Sequence, residues 1–321
     1  MNFQNLEYFI ATAKEGNITR AAEQLNISQQ ALSGSIARLE EELGCVLFER
    51  RPIFRLTYSG KCFYEKAREM LDIKEQSRVM IDDINGNVRG ELKIGVSHTR
   101  GQVILPALLP TFAKKYPKAD LSITEASTKD LEEALIKGKI DVMIGFMPTA
   151  TNTAKMEPLF TDRLVIIIPK NILKETFGDK GDEVCEEYKK SRDFSLFSNI
   201  PFILLRENER IRTIVNRRFF ESKISPVIKT ETQNIQTAFS LSIEGLGATI
   251  IPEMYLKSRY ALPGVYQKET KEKAVVLPFS ADNKKDIIGI GYNKERYLSR
   301  IAREFIKMSL DRYKNGIEKD V

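Results

Sequence analysis

Residues 16–44, GNITRAAEQLNISQQALSGSIARLEEELG, constrain the fold of this chain more than any other stretch. They read as two short helices joined by a tight turn, with a polar face left over. Thr19 can cap a first helix through Leu25, Ser28 can cap a second running to about Leu43, and Gly44 ends it. In the second helix Leu32, Ile36, Leu39 and Leu43 form a stripe that can pack on Ala22, Leu25 and Ile27. At about 100° per residue, the opposite face carries Gln30, Ser33, Gly34 and Ala37, flanked by Gln29 and Arg38. A slim helix with amide and hydroxyl groups and a nearby cation suits a DNA major groove, although an ordinary surface hairpin also carries Gln and Ser.

The next segment, VLFERRPIFRLT, reads as two short strands around a Pro-containing turn, with Arg50, Arg51 and Arg55 crowded at its tip. Such a wing can lay arginines on phosphates or into a minor groove. At this point the sequence resembles the LysR-type transcriptional regulators, over the run LEYFIATAKEGNITRAAEQLNISQQALSGSIARLEEELGCVLFERRPIFRLTYSG. The resemblance implies a winged helix-turn-helix whose second helix reads DNA. By that resemblance Ser28, Gln29, Gln30, Ser33, Ser35 and Arg38 contact DNA from the helix, and Arg50, Arg51, Arg55 and Thr57 from the wing. Gln30 stands where the family usually has Pro, and Gly34 where a long polar or basic side chain is usual. The operator sequence therefore cannot be copied from relatives.

A chain of 321 residues exceeds one ordinary domain, and its net charge of +6 favours polyanionic partners. Yet residues 1–60 hold six Lys or Arg against seven acids, so DNA affinity must come from the placement of cations and not from their total. No basic segment followed by an apolar run opens the chain, and no span approaches the roughly 20 apolar residues of a membrane helix, so a cytoplasmic protein is expected. Cys45, Cys62 and Cys185 lack C-x-x-C spacing and read as buried or incidental thiols. Some members of the family sense oxidants through a cysteine pair in the effector domain, which the lone Cys185 argues against.

From Ser59 to Asn87 proline disappears. Phe63, Ala67, Met70, Lys74, Ser77, Ile81 and Ile84 alternate steps of four and three, predicting one long helix of about 40 Å with a heptad stripe. The stripe could cover its own domain; the family uses this helix as a dimer linker.

Past Gly90 the pattern becomes α/β. Strands are predicted at Leu92 to Val96, Asp120 to Glu125 and Ile140 to Phe146, with helices at Val103 to Lys115 and Thr128 to Lys137. A second set follows: strands at Arg163 to Pro169, Pro201 to Leu205, Val227 to Thr230 and Ala248 to Ile251, and helices at Ile211 to Ser222 and Asn234 to Glu244. Strands at Val275 to Pro278 and Ile287 to Tyr292 and a helix from Glu295 to Leu310 close the chain. Mostly parallel sheets covered on both faces are expected. The order is similar to the family's two-lobed effector domain, a fold shared with periplasmic solute-binding proteins, on GELKIGVSHTRGQVILPALLPTFAKKYP, LEEALIKGKIDVMIGF and FSLSIEGLGATIIPEMY.

A ligand in such a fold lies between the lobes, at carboxyl ends of strands and helix starts. Ser97, Thr99, Arg100, Ser127, Thr128, Phe146, Arg206, Asn234 and Gln236 occupy those positions. Ser127, Thr128 and Asn234 could equally be plain N-caps. Hydroxyls and free N–H groups with Arg100 or Arg206 suit an anionic or zwitterionic metabolite.

Enzyme chemistry finds little support. The single histidine, His98, adjoins Ser97, and neighbours on a strand point to opposite faces; no P-loop or metal-ligand cluster is present, and Gly289-Ile290-Gly291 lies within a strand pattern. The expected architecture is α/β: a winged helix-turn-helix over 1–58, a linker helix over 59–89, and a two-lobed type 2 periplasmic-binding-protein-like effector domain over 90–321. Lobe I takes about 90–161 and 269–321, and lobe II about 162–268. The expected function is a ligand-responsive, DNA-binding transcriptional regulator without cofactor or metal. Its expected partners are double-stranded operator DNA, a small effector, RNA polymerase, and further copies of itself in a dimer or tetramer. A solute-binding protein and an α/β enzyme are the competing readings.

Overall fold

The computed structural model describes all residues except 51–52, 86–89, 148–152, 208, 259–263, 280–285 and 315–321, and the side chains of 264–267 and 269. The chain divides into two compact units, Met1–Asn87 and Val88–Val321.

The first unit holds α1 (Phe3–Glu15), α2 (Ile18–Gln24), α3 (Gln29–Leu43), a hairpin of β1 (Phe48–Glu49) and β2 (Arg55–Leu56), and α4 (Tyr58–Ile84). The Asn17 side chain, not Thr19, caps α2: its carbonyl oxygen accepts from the Thr19 and Arg20 amides at 2.9 and 3.1 Å, leaving Thr19 in the first turn. Ser28 caps α3 by accepting from the Ala31 amide at 3.1 Å, and Gly44 ends it at φ +67°, where a side chain would be strained. Leu6, Phe9, Ala21, Leu32, Ile36, Leu39, Leu47, Phe48 and Ala67 form one buried cluster. The first turns of α4 therefore belong to this core: Phe63 and Leu71 also pack on it, and the Phe63 ring centre lies 5.2 Å from that of Phe9. Farther along, Ile73, Met80, Ile81 and Ile84 are exposed. The predicted heptad stripe thus splits into a half buried at home and an uncovered half.

In the second unit, β3 (Gly90–Val96), α5 (His98–Lys115), β4 (Ala119–Glu125), α6 (Thr128–Ile136), β5 (Val142–Phe146) and β6 (Ala154–Asp162) begin lobe I. Lobe II contains β7 (Leu164–Pro169), α7 (Lys170–Phe177), α8 (Gly181–Ser191), β8 (Pro201–Leu205), α9 (Arg210–Glu221) and β9 (Val227–Thr232). It continues through α10 (Ile235–Ile243), β10 (Ala248–Pro252), α11 (Glu253–Lys257), α12 (Gly264–Lys273) and β11 (Ala274–Pro278). Then β12 (Asp286–Asn293) and α13 (Arg300–Tyr313) return to lobe I.

Both sheets have five strands, ordered β4-β3-β5-β12-β6 and β11-β7-β10-β8-β9. In each sheet four strands share one direction, as expected, and one runs against them: β12 is antiparallel to β5 and β6, and β7 to β10 and β11. The reversed strand of each sheet is the first one after the chain changes sheets, β7 after β6 and β12 after β11.

Three expectations change. Strand β11 pairs with β7, Val275 opposite Ile168, so lobe II extends past 268 through at least Pro278; an apolar AVVLP strand fits either sheet, and local sequence does not choose. Helix α5 begins at His98 and carries Pro106 and Pro110 within it, and α13 begins at Arg300 behind a Ser299 cap. Strand β6 is absent from the elements that periodicity predicts. It is an edge strand, where Pro158 costs no central ladder bond.

Candidate functional site

In the first unit, Gln29, Gln30, Gly34, Ala37 and Arg38 lie exposed along α3, with Ser33 half-buried beside them. The Arg38 Nε donates to the Gly34 carbonyl at 3.3 Å, which lays the guanidinium back along its own helix. Ser35 is a correction. It is buried and donates to the Asn5 side-chain oxygen at 3.1 Å, because it sits three residues after Leu32 and four before Leu39, inside the core stripe. Thr57 is likewise engaged locally. Its hydroxyl donates to the Val46 carbonyl at 2.7 Å and accepts from the Gly60 amide at 2.9 Å, capping α4. The Ser28 hydroxyl is exposed and caps α3.

Each described wing arginine faces an acid. Arg50 lies 3.5 Å from Glu40, and Arg55 lies 2.5 Å from Glu49, its cross-strand neighbour. Arg51 lies outside the described residues. The Arg55–Glu49 pair is solvent-exposed and worth little, so exchange of Glu49 for a phosphate costs little, whereas Glu40 is largely covered and its contact with Arg50 is long.

In the second unit, β3, β4 and β5 run parallel with adjacent carboxyl ends, so Ser97, Glu125 and Phe146 emerge at one edge of lobe I. Strands β8 and β9 do the same in lobe II, placing Arg206 and Thr232 together; the Arg206 amide donates to the Thr232 carbonyl at 3.0 Å. The two edges face each other. The guanidinium carbon of Arg210, from lobe II, lies 5.7 Å from the centre of the Phe146 ring of lobe I. Burial pushes the Glu209 carboxyl up, with His98 of lobe I drawing it down and Asp130 adding to the rise.

The predicted cleft residues now separate. Ser127 caps α6, its hydroxyl exchanging hydrogen bonds with Asp130, and Asn234 caps α10 by accepting from the Gln236 and Thr237 amides at 2.8 and 3.3 Å. Their plain capping role is therefore filled. Thr128 opens α6 and is half-buried, Thr99 is half-buried, and Arg206 and Gln236 are exposed.

Ser97 behaves differently: it stands at the N-cap position of α5, yet its hydroxyl caps nothing and is buried without a hydrogen-bond partner. Since β3 ends at Val96, Ser97 and His98 are not strand neighbours; the His98 Nδ1 lies 3.8 Å from Glu125.

Arg100 is only 2% exposed, its guanidinium carbon 3.9 Å from the centre of the Phe146 ring. Its Nε has no hydrogen-bond partner. Burial lowers its pKa, opposed by the charges of Asp162 and Asp286. Asp162, unforeseen from sequence, ends β6 where the chain crosses between lobes. Its Oδ1 accepts from the Met254 amide at 3.1 Å, and its buried Oδ2 has no partner. Burial raises this carboxyl to about 6, against the pull of Arg100.

Among the described residues no helix is long and apolar enough to cross a membrane, and no cluster of His, Cys, Asp or Glu could hold a metal. Cys185 is buried and its thiol is pushed up to about 11 by burial, which keeps it an inert thiol.

The helix-turn-helix domain described as "Bacterial regulatory helix-turn-helix protein, lysR family" matches residues 3–61, and the LysR substrate binding domain matches residues 85–314. The uncharacterized regulator YcgK of Bacillus subtilis is 28% identical over 99% of this chain and 97% of its own length. The regulator ClcR of Pseudomonas putida is 33% identical over 79% of this chain and 83% of its own. Among solved structures, full-length CbnR complexed with its target DNA superposes with a TM-score of 0.63 at 23% identity, covering 96% of this chain and all of CbnR. The effector-binding domain of QuiR in complex with shikimate covers 71% of this chain and 98% of its own, at a TM-score of 0.54 and 18% identity. The winged helix-turn-helix and the two-lobed domain thus occur in one chain, which belongs to the LysR family of DNA-binding transcriptional regulators.

Proposed function

We propose that this regulator reads a pseudo-palindromic operator in the cytoplasm through paired winged helices, and that a small anionic or zwitterionic effector between the lobes changes how those helices are spaced. Gln29, Gln30 and Ser33 address base edges, while Arg38, Arg50 and Arg55 address phosphates. The uncovered apolar residues of α4 support pairing into a dimer or tetramer, and RNA polymerase is the partner through which transcription is altered. An effector can act only through unequal affinity for the two arrangements.

One observation carries the effector assignment: Ser97 Oγ and Arg100 Nε, both at the start of α5, are buried without partners. Burying such groups costs free energy unless a partner completes them, and a carboxylate accepting from both does so. Backbone amides of the first turn of α5 add to the anion's preference for this end.

A thermal-shift screen of the full chain against metabolites tests this, followed by operator footprinting with any compound that raises Tm. Ser97→Ala is expected to weaken the hit by roughly tenfold or more, since a hydrogen bond to a charged group is worth about 1.5–3 kcal/mol. A hit that Ser97→Ala binds as tightly as the wild type removes the start of α5 from the site.

A further inference from the structure

An anion at the start of α5 completes Ser97 and Arg100 but leaves a third buried group of the cleft region, Asp162, without a partner. Asp162 is 6% exposed and its Oδ2 has no hydrogen-bond donor, while Arg100, 2% exposed, has an Nε without an acceptor. Each acts on the other electrostatically, yet no nitrogen of Arg100 comes within 4.0 Å of an Asp162 oxygen. Two buried groups of opposite charge that do not join each keep an atom for a ligand to complete, a donor on Arg100 and an acceptor on Asp162.

The surrounding charges limit what can complete both. Arg163 and Glu253, which also interact electrostatically with Asp162, are held by each other through two hydrogen bonds of 2.7 and 2.5 Å. Asp286, opposite Asp162 in the β6–β12 ladder, also acts on Arg100 electrostatically. A simple carboxylic acid would satisfy Arg100 but set a further negative charge near Asp162 and leave its Oδ2 without a donor, a costly arrangement at low dielectric.

We propose that the effector of this regulator is a zwitterion of the α-amino-acid kind, its carboxylate on Arg100 and Ser97 and its ammonium on Asp162. Such a ligand adds no net charge and completes all three groups. The position of Asp162 gives the ammonium a regulatory role. Its carboxylate holds the first turn of α11 through the Met254 amide, next to the Glu253 amide, which donates to the Arg163 carbonyl at 2.8 Å. The ligand's ammonium therefore engages the segment where the chain crosses between the lobes. This assignment rests on the effector reading above and narrows it.

The test uses the full-length chain and matched probes: the standard α-amino acids, each beside the α-hydroxy acid of the same side chain, which keeps the carboxylate and loses the ammonium. At least one amino acid is expected to raise Tm, with its hydroxy analogue about tenfold weaker or more. Asp162→Asn, which keeps the acceptor for the Met254 amide, is expected to lose about the same factor toward the amino acid and to bind the hydroxy acid no more weakly than the wild type. Equal binding of the amino acid by Asp162→Asn and wild type overturns the proposal. Response to hydroxy acids alone overturns the zwitterion and leaves the anion site at α5 standing; response to neither class sinks both.

Discussion

Glu40 on α3 accepts the Leu47 amide at 2.7 Å and, with the same oxygen, the Phe48 amide at 3.2 Å. One carboxylate thereby fixes the angle between α3 and the wing, while its other oxygen faces Arg50. If α3 and the wing address DNA together, as proposed, this register is part of recognition although Glu40 itself carries the wrong charge for phosphate.

Glu40→Ala is therefore expected to lower stability by about 1.5–3 kcal/mol, the scale of hydrogen bonds to a charged group. Operator binding is expected to weaken despite the loss of a negative charge near DNA. Urea unfolding and operator titration at one salt concentration check both. Tighter operator binding would show that charge outweighs the register of the wing.

Gln30 lies exposed on α3 and offers an amide able to pair with adenine. Gln30→Ala is expected to cost about 1–3 kcal/mol on the cognate operator and to relax preference at particular bases, with little change on random DNA. Arg55→Ala, by contrast, is expected to weaken all sequences alike and to flatten the salt slope by about one unit. Titrations against operator and random duplexes across a salt series separate the two roles.

Ile81 is 56% exposed, on the half of α4 that the first unit leaves uncovered. Ile81→Asp would put an unpaired charge at an apolar seam and is expected to shift the chain toward monomers, with weaker operator binding. Sedimentation velocity showing an unchanged oligomer removes this face from the interface.

Local spacing suffices for α3, because the Ser28 cap, the Leu32–Ile36–Leu39 stripe and the Gly44 stop all lie within a few turns of one helix. The failures are tertiary. Ser35 is polar by type but lies in the core stripe, and only Asn5, thirty positions earlier, explains its burial. Strand β6 carries Lys155, Glu157 and Pro158 and looks like a loop until its place at a sheet edge is known. Asp162, Glu209 and Arg210 gain meaning only when β6 and β8 end beside the start of α5, a juxtaposition that no periodicity encodes. A charged run such as Arg206 to Arg210 directly after the apolar strand β8 was the one available signal for part of this wall.

The last prediction concerns the stability cost of Asp162. Its folded carboxyl titrates at about 6, above the ordinary 3.8, because burial outweighs the attraction of Arg100 and the Met254 and Arg163 amides, with Glu253 adding to the rise. A raised carboxyl means that, between those values, the folded chain binds more protons than the unfolded one. Stability therefore falls as pH rises through about 4 to 6, and the full cost, on the order of 3 kcal/mol, is in place above that window. Asn at this position stays neutral and keeps the oxygen that accepts the Met254 amide. Asp162→Asn is thus expected to unfold at higher temperature than the wild type near pH 7, with the gap shrinking toward about pH 4 as Asp162 becomes protonated in both states. Calorimetric scans of the unliganded full chain across that range measure it. A gap that stays constant with pH would mean that Asp162 is ionised at its ordinary value in the fold, so that its buried oxygen stores no strain for a ligand to relieve.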